Sequence, residues 1–240
     1  MTTPEALEPI DESFDSVLAL VAHPDDLEYG VASAIARWTG QGKRVVYGLA
    51  TSGEAGIDGL DPEQCGPLRE TEERAGAAVV GVDVVEFYGF PDGVVEYGLP
   101  LRRAFAEAIR RHRPDVVLTS TWREFWGPGM PNQADHIAVG RAALDAARDA
   151  ANRWVFRDLG LEPWKAKHVF VAAGPNARHG VDVTVGFDQG VASLEAHAEY
   201  LRGLVDNPMS EPREFLESVA RPVGSRLGAK FGVAFEVMDL

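Results

Sequence analysis

The chain has 240 residues, 45% of them hydrophobic and 25% charged, a balance that suits one globular α/β domain with a full core. Its 37 acidic against 23 basic side chains give a formal net charge of -14, which argues against a nucleic-acid surface and fits an anionic membrane poorly. The single cysteine, Cys65, permits no intrachain disulfide, and its acidic surroundings speak against a nucleophilic thiol.

Residues 1–16 are acidic and lack the basic start and apolar run of a signal peptide, and no run approaches the roughly 18 apolar residues of a membrane helix. The expectation is a cytoplasmic protein of one domain, residues 1–240, with residues 1–15 as a flexible or peripheral segment. The apolar run at 17–22 (VLALVA) predicts a short buried strand, and residues 30–38 the start of a helix. Between them stand His23, Asp25 and Asp26, at the carboxyl end of a strand, where open α/β sheets bind ligands. Across a tight turn, His23 and Asp26 can offer a divalent metal an imidazole nitrogen and a carboxylate oxygen. Asp25 is then left beside the metal, free to act as a base. Helix capping would explain one of these acids, but not both beside a histidine.

Residues 44–51 (RVVYGLAT) predict a second buried strand and residues 53–59 a glycine-rich loop at its carboxyl end. The loop has neither a Gly-Lys-Ser/Thr ending nor a Gly-x-Gly-x-x-Gly pattern, so a phosphate cradle is not expected. Glu54 is placed at the rim, hydrogen-bonding sugar hydroxyls or supporting the metal site, with a solvated loop acid as the bland alternative. Residues 68–80 have helical spacing, with Ala75, Ala78 and Val79 on one face. Arg69 near that helix's start is opposed by the macrodipole, which suggests a ligand for it; an ion pair with Glu72 or Glu73 is the ordinary explanation.

A third strand is expected at 82–87, with a turn at 89–93 in which Asp92 is a natural turn residue placed over the same sheet edge. Residues 99–112 form a helix with Leu101, Phe105 and Ile109 at fourfold spacing, stopped by Pro114, and His112 is expected at the surface. After a strand at 115–120 (DVVLTS), the loop at 121–131 carries Trp122, Phe125 and Trp126, aromatic faces suited to sugar rings or apolar acyl chains; Trp122 is the residue placed at the substrate. A helix follows at 134–152. Strands are expected at 167–173, 181–185 and 231–237, with His168 packed, His179 exposed, His197 on a helix, and a proline-containing excursion at 206–222.

His136, near the start of the 134–152 helix, follows a strand just as His23 does. If both strands are central and parallel, their carboxyl ends open on one sheet edge and His136 meets His23 and Asp26 there. Two histidines, one aspartate and an open position are what a catalytic zinc requires.

Ala22-His23-Pro24-Asp25-Asp26 with Asp135-His136 resembles the PIG-L/LmbE-like zinc deacetylases. The likeness extends through Thr51-Ser52-Gly53-Glu54, Leu68-Arg69-Glu70, Phe90-Pro91-Asp92-Gly93 and the segment 193–200. It implies a Rossmann-like three-layer α/β/α fold with a mostly parallel central sheet. It also implies hydrolysis of an N-acetyl or other N-acyl group on a small amino-sugar substrate, with Zn2+ or another divalent metal such as Fe2+ as cofactor. Metal ligands would be His23, Asp26 and His136; catalytic residues Asp25, Gln133 and Asp135; substrate contacts Glu54, Arg69, Asp92 and Trp122. No nucleic acid or membrane partner is expected, and a homo-oligomer is compatible with the chain.

One departure stands out: the family's second motif commonly reads His-Pro-Asp-His, and here it is Gln133-Ala134-Asp135-His136. Glutamine can donate an amide hydrogen bond to an oxyanion but cannot carry a positive charge or act as a general acid. Two rivals follow from these residues: a sugar-binding relative that has lost turnover, and a non-haem Fe(II) oxygenase, which shares the ligand set but normally an all-β framework.

Overall fold

The computed structural model describes residues 5–127 and 129–240; the first four residues of the N-terminal segment, and Pro128 in the aromatic loop, lie outside the described residues. The described chain starts with β1 (Glu8–Pro9) and β2 (Ser16–Val21), every residue of the latter buried. Leu7, Ile10 and Phe14 are buried as well. These three side chains anchor a segment whose Glu8, Pro9, Asp11 and Ser13 stay exposed, and Lys43 Nζ holds it by donating to the carbonyls of Glu12 (2.6 Å) and Phe14 (2.7 Å).

After β2 come α1 (Asp26–Gly30) and α2 (Ala32–Gly40), two helices where one was expected from residue 30. The alternation continues through β3 (Arg44–Leu49), α3 (Pro62–Val79), β4 (Val84–Phe87), α4 (Leu99–His112) and β5 (Val116–Ser120). A hairpin of β6 (Phe125–Gly127) and β7 (Met130–Pro131) leads into α5 (Ala134–Ala151). The remainder is β8 (His168–Ala172), β9 (His179–Asp182), α6 (Phe187–Glu195), α7 (Ala198–Gly203), α8 (Pro212–Leu227) and β10 (Gly232–Asp239).

The main sheet has the order β1-β9-β10-β8-β5-β2-β3-β4. The run from β8 to β4 is parallel throughout, whereas β10 is antiparallel to both β8 and β9. From β2 the chain builds outward through β3 and β4, then returns to add β5 and β8 on the other side. The crevice between β2 and β5 is therefore a topological switch point, where such sheets bind ligands.

Strand periodicity of two divides the core. Val17, Ala19 and Val21 of β2 face a layer that contains α1, α2, α6 and α8, while Leu18 and Leu20 face α4 and α5. Helices thus cover both faces of a mostly parallel sheet, the three-layer arrangement the resemblance implied. Among the described residues no helix is long and apolar enough to cross a membrane.

Two helices differ from expectation. α3 begins at Pro62, with the Asp61 side chain accepting from Glu63 N–H at 2.9 Å, because proline at the first position loses a donor the helix would not use. Arg69 is consequently the eighth residue of α3 and outside the reach of its N-terminal dipole, and Ala75, Ala78 and Val79 are exposed while Arg69, Glu72, Glu73 and Gly76 form the buried face. α8 occupies most of the stretch read as an excursion: Pro212 opens it, and Leu216, Ala220 and Gly224 form a buried stripe at fourfold spacing despite Pro222 inside the helix.

Candidate metal centre and catalytic cavity

Three donor atoms converge at the switch point. His23 Nδ1 and His136 Nε2 are 3.2 Å apart, and Asp26 Oδ1 lies 3.0 Å from His136 Nε2 and 3.9 Å from His23 Nδ1. His23 and Asp26 come from the turn after β2, and His136 from the first turn of α5, which follows β5. Register makes the meeting possible: β2 and β5 pair in parallel, Leu20 opposite Thr119.

Each donor is oriented by its neighbours. Asp26 turns Oδ1 to the histidines because Oδ2 accepts the N–H groups of Ala22 (2.9 Å) and His23 (3.0 Å). Nε2 of His23 lies 3.1 Å from Asp92 Oδ1 and 3.2 Å from Asp135 Oδ2, acceptors that require the proton on Nε2 and leave the Nδ1 lone pair inward. His136 Nδ1 donates to Asn132 Oδ1 at 3.0 Å, leaving Nε2 inward, and Asn132 Nδ2 is itself tied to the carbonyls of Thr121 and Arg123, both at 3.0 Å. Asn132 escaped the sequence reading although it stands one turn before His136 on the approach to α5.

Burial opposes the charged form of His23, but hydrogen bonds to Asp135, Asp26 and Asp92 outweigh it and raise its pKa well above the ordinary value. Burial likewise opposes the Asp26 carboxylate, and the His136 charge outweighs it, holding Asp26 well below the usual range. For His136 burial lowers and the Asp26 charge raises, with a net upward shift. Without a metal the cluster attracts protons; a divalent cation on the same three atoms would displace them. Two imidazole nitrogens and a carboxylate oxygen on converging lone pairs fit a borderline divalent ion.

Asp25 occupies the αL region at φ 94°, a conformation a non-glycine residue adopts only when held there. Its N–H donates to Glu73 Oε2 at 3.1 Å, and its Oδ2 lies 3.2 Å from Arg69 Nη2. Burial raises the Asp25 carboxyl to about 6, against the pull of Arg69; a hydrogen bond from Tyr200 also lowers it. Arg69 is 2% exposed, donates to the Pro24 carbonyl and lies 4.0 Å over the Tyr200 ring. Its partner is thus Asp25 rather than Glu72 or Glu73. Room for the guanidinium comes from the loop after β3, where a Cβ at Gly56 would collide with Arg69 Nη1.

Behind Asp25 lie Glu28, Glu73 and His197, all fully buried, with His197 Nε2 3.8 Å from Glu28 Oε2 and 3.7 Å from Glu73 Oε2. Burial raises Glu28 to about 8 and Glu73 well above the carboxylate range, and lowers His197 to about 3. His197 precedes α7 as its cap residue and touches none of the three converging donors. His112, His168 and His179 lie elsewhere, facing Glu86 (2.9 Å), Asp239 (2.8 Å) and Glu8 (3.6 Å).

The remaining sequence candidates divide. Asp92 lines the cavity, holds His23 and accepts from Ala55 N–H at 2.8 Å. Glu54 is spent on the loops, accepting from Asp92 N–H at 2.9 Å and Ser52 N–H at 3.3 Å. Asp135 is buried, accepts from Gly93 N–H (2.7 Å) and Val95 N–H (3.0 Å), and meets His23 rather than Gln133. Gln133 stands on the cavity wall. Trp122 packs into the layer of α4 and α5, whereas Trp126 lines the cavity, its ring 5.4 Å from that of His136. Nothing in residue type separates the two tryptophans; only the hairpin of β6 and β7 does. The cavity is about 720 Å³ and includes the three donors, Asp25, Arg69 and Tyr200 in its wall.

A mostly parallel α/β sheet thus brings to its switch point a His-Asp-His set that could hold a divalent ion, with a buried acid nearby and a cavity around it. The family profile described as GlcNAc-PI de-N-acetylase matches residues 18–147, and the chain belongs to this PIG-L family. A probable N-acetyl-alpha-D-glucosaminyl L-malate deacetylase 2 of Bacillus anthracis is 28% identical over 54% of this chain and 58% of its own length. A 1D-myo-inositol 2-acetamido-2-deoxy-alpha-D-glucopyranoside deacetylase of Acidothermus cellulolyticus is 27% identical over 93% of this chain and 88% of its own. The Bacillus match thus spans less than two thirds of that relative. The solved N,N'-diacetylchitobiose deacetylase of Pyrococcus horikoshii superposes with a TM-score of 0.83 over 95% of this chain and 85% of its own; at 23% identity this likeness establishes the fold.

Proposed function

We propose that the chain is a metal-dependent hydrolase that removes an N-acyl group from a small amino sugar. The observation that carries this reading is Asp25, an acid held in αL geometry directly beside the His23–Asp26–His136 donors. Family membership and relatives named as deacetylases of N-acetylglucosamine compounds support the substrate class.

His23, Asp26 and His136 would hold the cation; zinc suits this donor set, and Fe2+ is the alternative. When bound, such a cation acidifies water and polarises a carbonyl oxygen. Asp25 accepts the proton of the attacking water and returns it to the departing amine. Its ordinary range lies below neutral, and even raised to about 6 it is mostly ionised at pH 7, the form a base needs. Arg69 fixes the orientation of that carboxylate. Gln133, whose side-chain amide has no hydrogen-bond partner among the described residues, donates to the oxyanion as the carbonyl becomes tetrahedral. Asp135 acts on His23, keeping its proton on Nε2. Asp92 serves His23 and offers its cavity face to a substrate hydroxyl, and Trp126, in place of Trp122, supplies an aromatic wall.

The test is an amine-release screen over N-acylated glucosamines with metal-stripped and metal-restored protein. Metal-dependent release supports the reading. Binding without release across the panel would favour a relative that has lost turnover, the consequence feared from Gln133. An oxygenase finds no support in this parallel sheet.

A further inference from the structure

The cavity is chemically two-ended, and the strand order shows why. On the β3 and β4 side of the donors its wall is Gly53, Ala55, Gly56 and Asp92 from the loops after those strands, and Arg69 of α3. On the β8 and β10 side it is Phe187 of α6, Phe215, Leu216, Val219 and Val223 of α8, and Val233 of β10. The wall contributed by α2, α6, α8 and β10 includes no charged side chain. Val223 of α8 and Val233 of β10 line this wall and are only partly buried, and Val219 of α8 is 45% exposed; α8 closes on β10 at Gly224 and Gly232 and leaves these side chains at the cavity. All six side chains lie beyond residues 18–147, outside the part of the chain that the family profile matches.

An amide whose carbonyl sits at the three donors must send its two substituents apart. The polar end, with the charged groups of Arg69 and Asp92 in its wall, suits the sugar on the nitrogen. The apolar end then receives what is attached to the carbonyl carbon. The whole cavity, polar end included, is about 720 Å³, of the size that takes a drug-like ligand.

We propose that the chamber beneath α8 binds the apolar acyl chain of the substrate, so that this protein prefers N-acyl groups of several carbons to N-acetyl. This rests on the hydrolase reading above. In the reaction the amide C–N bond breaks and a C–O bond forms to the water oxygen; the amine leaves with a proton and the fatty acid leaves as its carboxylate. No further reactant is needed.

The experiment compares N-acetyl-, N-butanoyl- and N-octanoyl-glucosamine with the metal-loaded protein, by amine release and by calorimetric binding. Each added methylene should raise kcat/KM by up to about fourfold until the chamber is full, and octanoyl should exceed acetyl at least tenfold. Val223→Trp and Val219→Trp, which fill the chamber from two positions, should pull the octanoyl-to-acetyl ratio toward one; if either fails to fold, the wild-type series still decides. Equal kcat/KM and equal affinity along the series overturn the proposal, as does a gain confined to octyl glycosides of N-acetylglucosamine, which would put the aglycone in the chamber. If no amide is cleaved while N-octanoylglucosamine still binds at least tenfold more tightly than N-acetylglucosamine, the chamber assignment stands and the hydrolase reading fails alone.

Discussion

Glu73 Oε2 accepts the N–H of Asp25 at 3.1 Å, and this bond, made from the middle of α3 to a turn in αL geometry, aims the acid beside the metal donors. Asp25 is stabilised there from two sides, by Glu73 at its backbone and Arg69 at its carboxylate, both from the buried face of α3. The helix buries charge because that face is the site's support.

Burial, and the nearby Glu28 charge, push Glu73 well above its ordinary value, which favours the neutral acid, and glutamine is a near isostere of that acid. Glu73→Gln should retain activity within a few-fold. Glu73→Met, unable to accept the Asp25 N–H, should lower kcat by about 10- to 100-fold with metal content unchanged and cost about 1–3 kcal/mol from the unpaired amide, measured by urea unfolding.

Asp25→Asn should abolish turnover while the protein keeps its metal. It should also make the metal-free protein more stable at neutral pH. The sign follows from the pKa: the folded state raises the carboxyl from 3.8 to about 6, so its stabilising contribution is present below about 4 and is lost as pH rises through about 6. Above that window the wild type keeps a charge in a buried place, which asparagine does not. Melting of both proteins at pH 4.5 and 7.5 should show the gap between them open at the higher pH.

Asn132 orients His136 by accepting from Nδ1 at 3.0 Å. Asn132→Ala should weaken metal affinity by about 10- to 100-fold with the ligands intact, read by competition with a chelating dye. Because His23 and His136 are both shifted upward, metal titration of stripped protein at pH 6.5 should release protons, measurable as a dependence of binding heat on buffer ionisation enthalpy.

Removing the oxyanion donor by Gln133→Ala should reduce kcat by on the order of 100-fold with little change in KM. Steady-state kinetics on one N-acyl glucosamine are enough to see it.

Much of this architecture is legible in the amino-acid sequence. The runs at 17–22 and 115–120 are apolar because parallel central strands are buried on both faces, and the polar residues that follow each run mark the ligand edge. Hence His23, Asp26 and His136 could be brought together on paper, and the structure does place them within bonding reach of one centre. What escaped was set by tertiary contact. α3 hides a charged face, so its exposed alanines read as the core side. Trp122, ahead of the short hairpin, packs into the layer of α4 and α5, whereas Trp126, within it, lines the cavity. The partner of Arg69 is 44 residues earlier in the chain, at Asp25, and no local spacing announces it. Pro212 and Pro222 suggested irregular chain, yet the stripe of Leu216, Ala220 and Gly224 forms a helix over the cavity.

The most direct test is elemental analysis joined to amine release on wild type, Asp25→Asn and His136→Ala. The account predicts one divalent ion per chain and metal-dependent release for wild type, metal without release for Asp25→Asn, and neither for His136→Ala. Full activity in Asp25→Asn, or metal-independent release by the wild type, would contradict it.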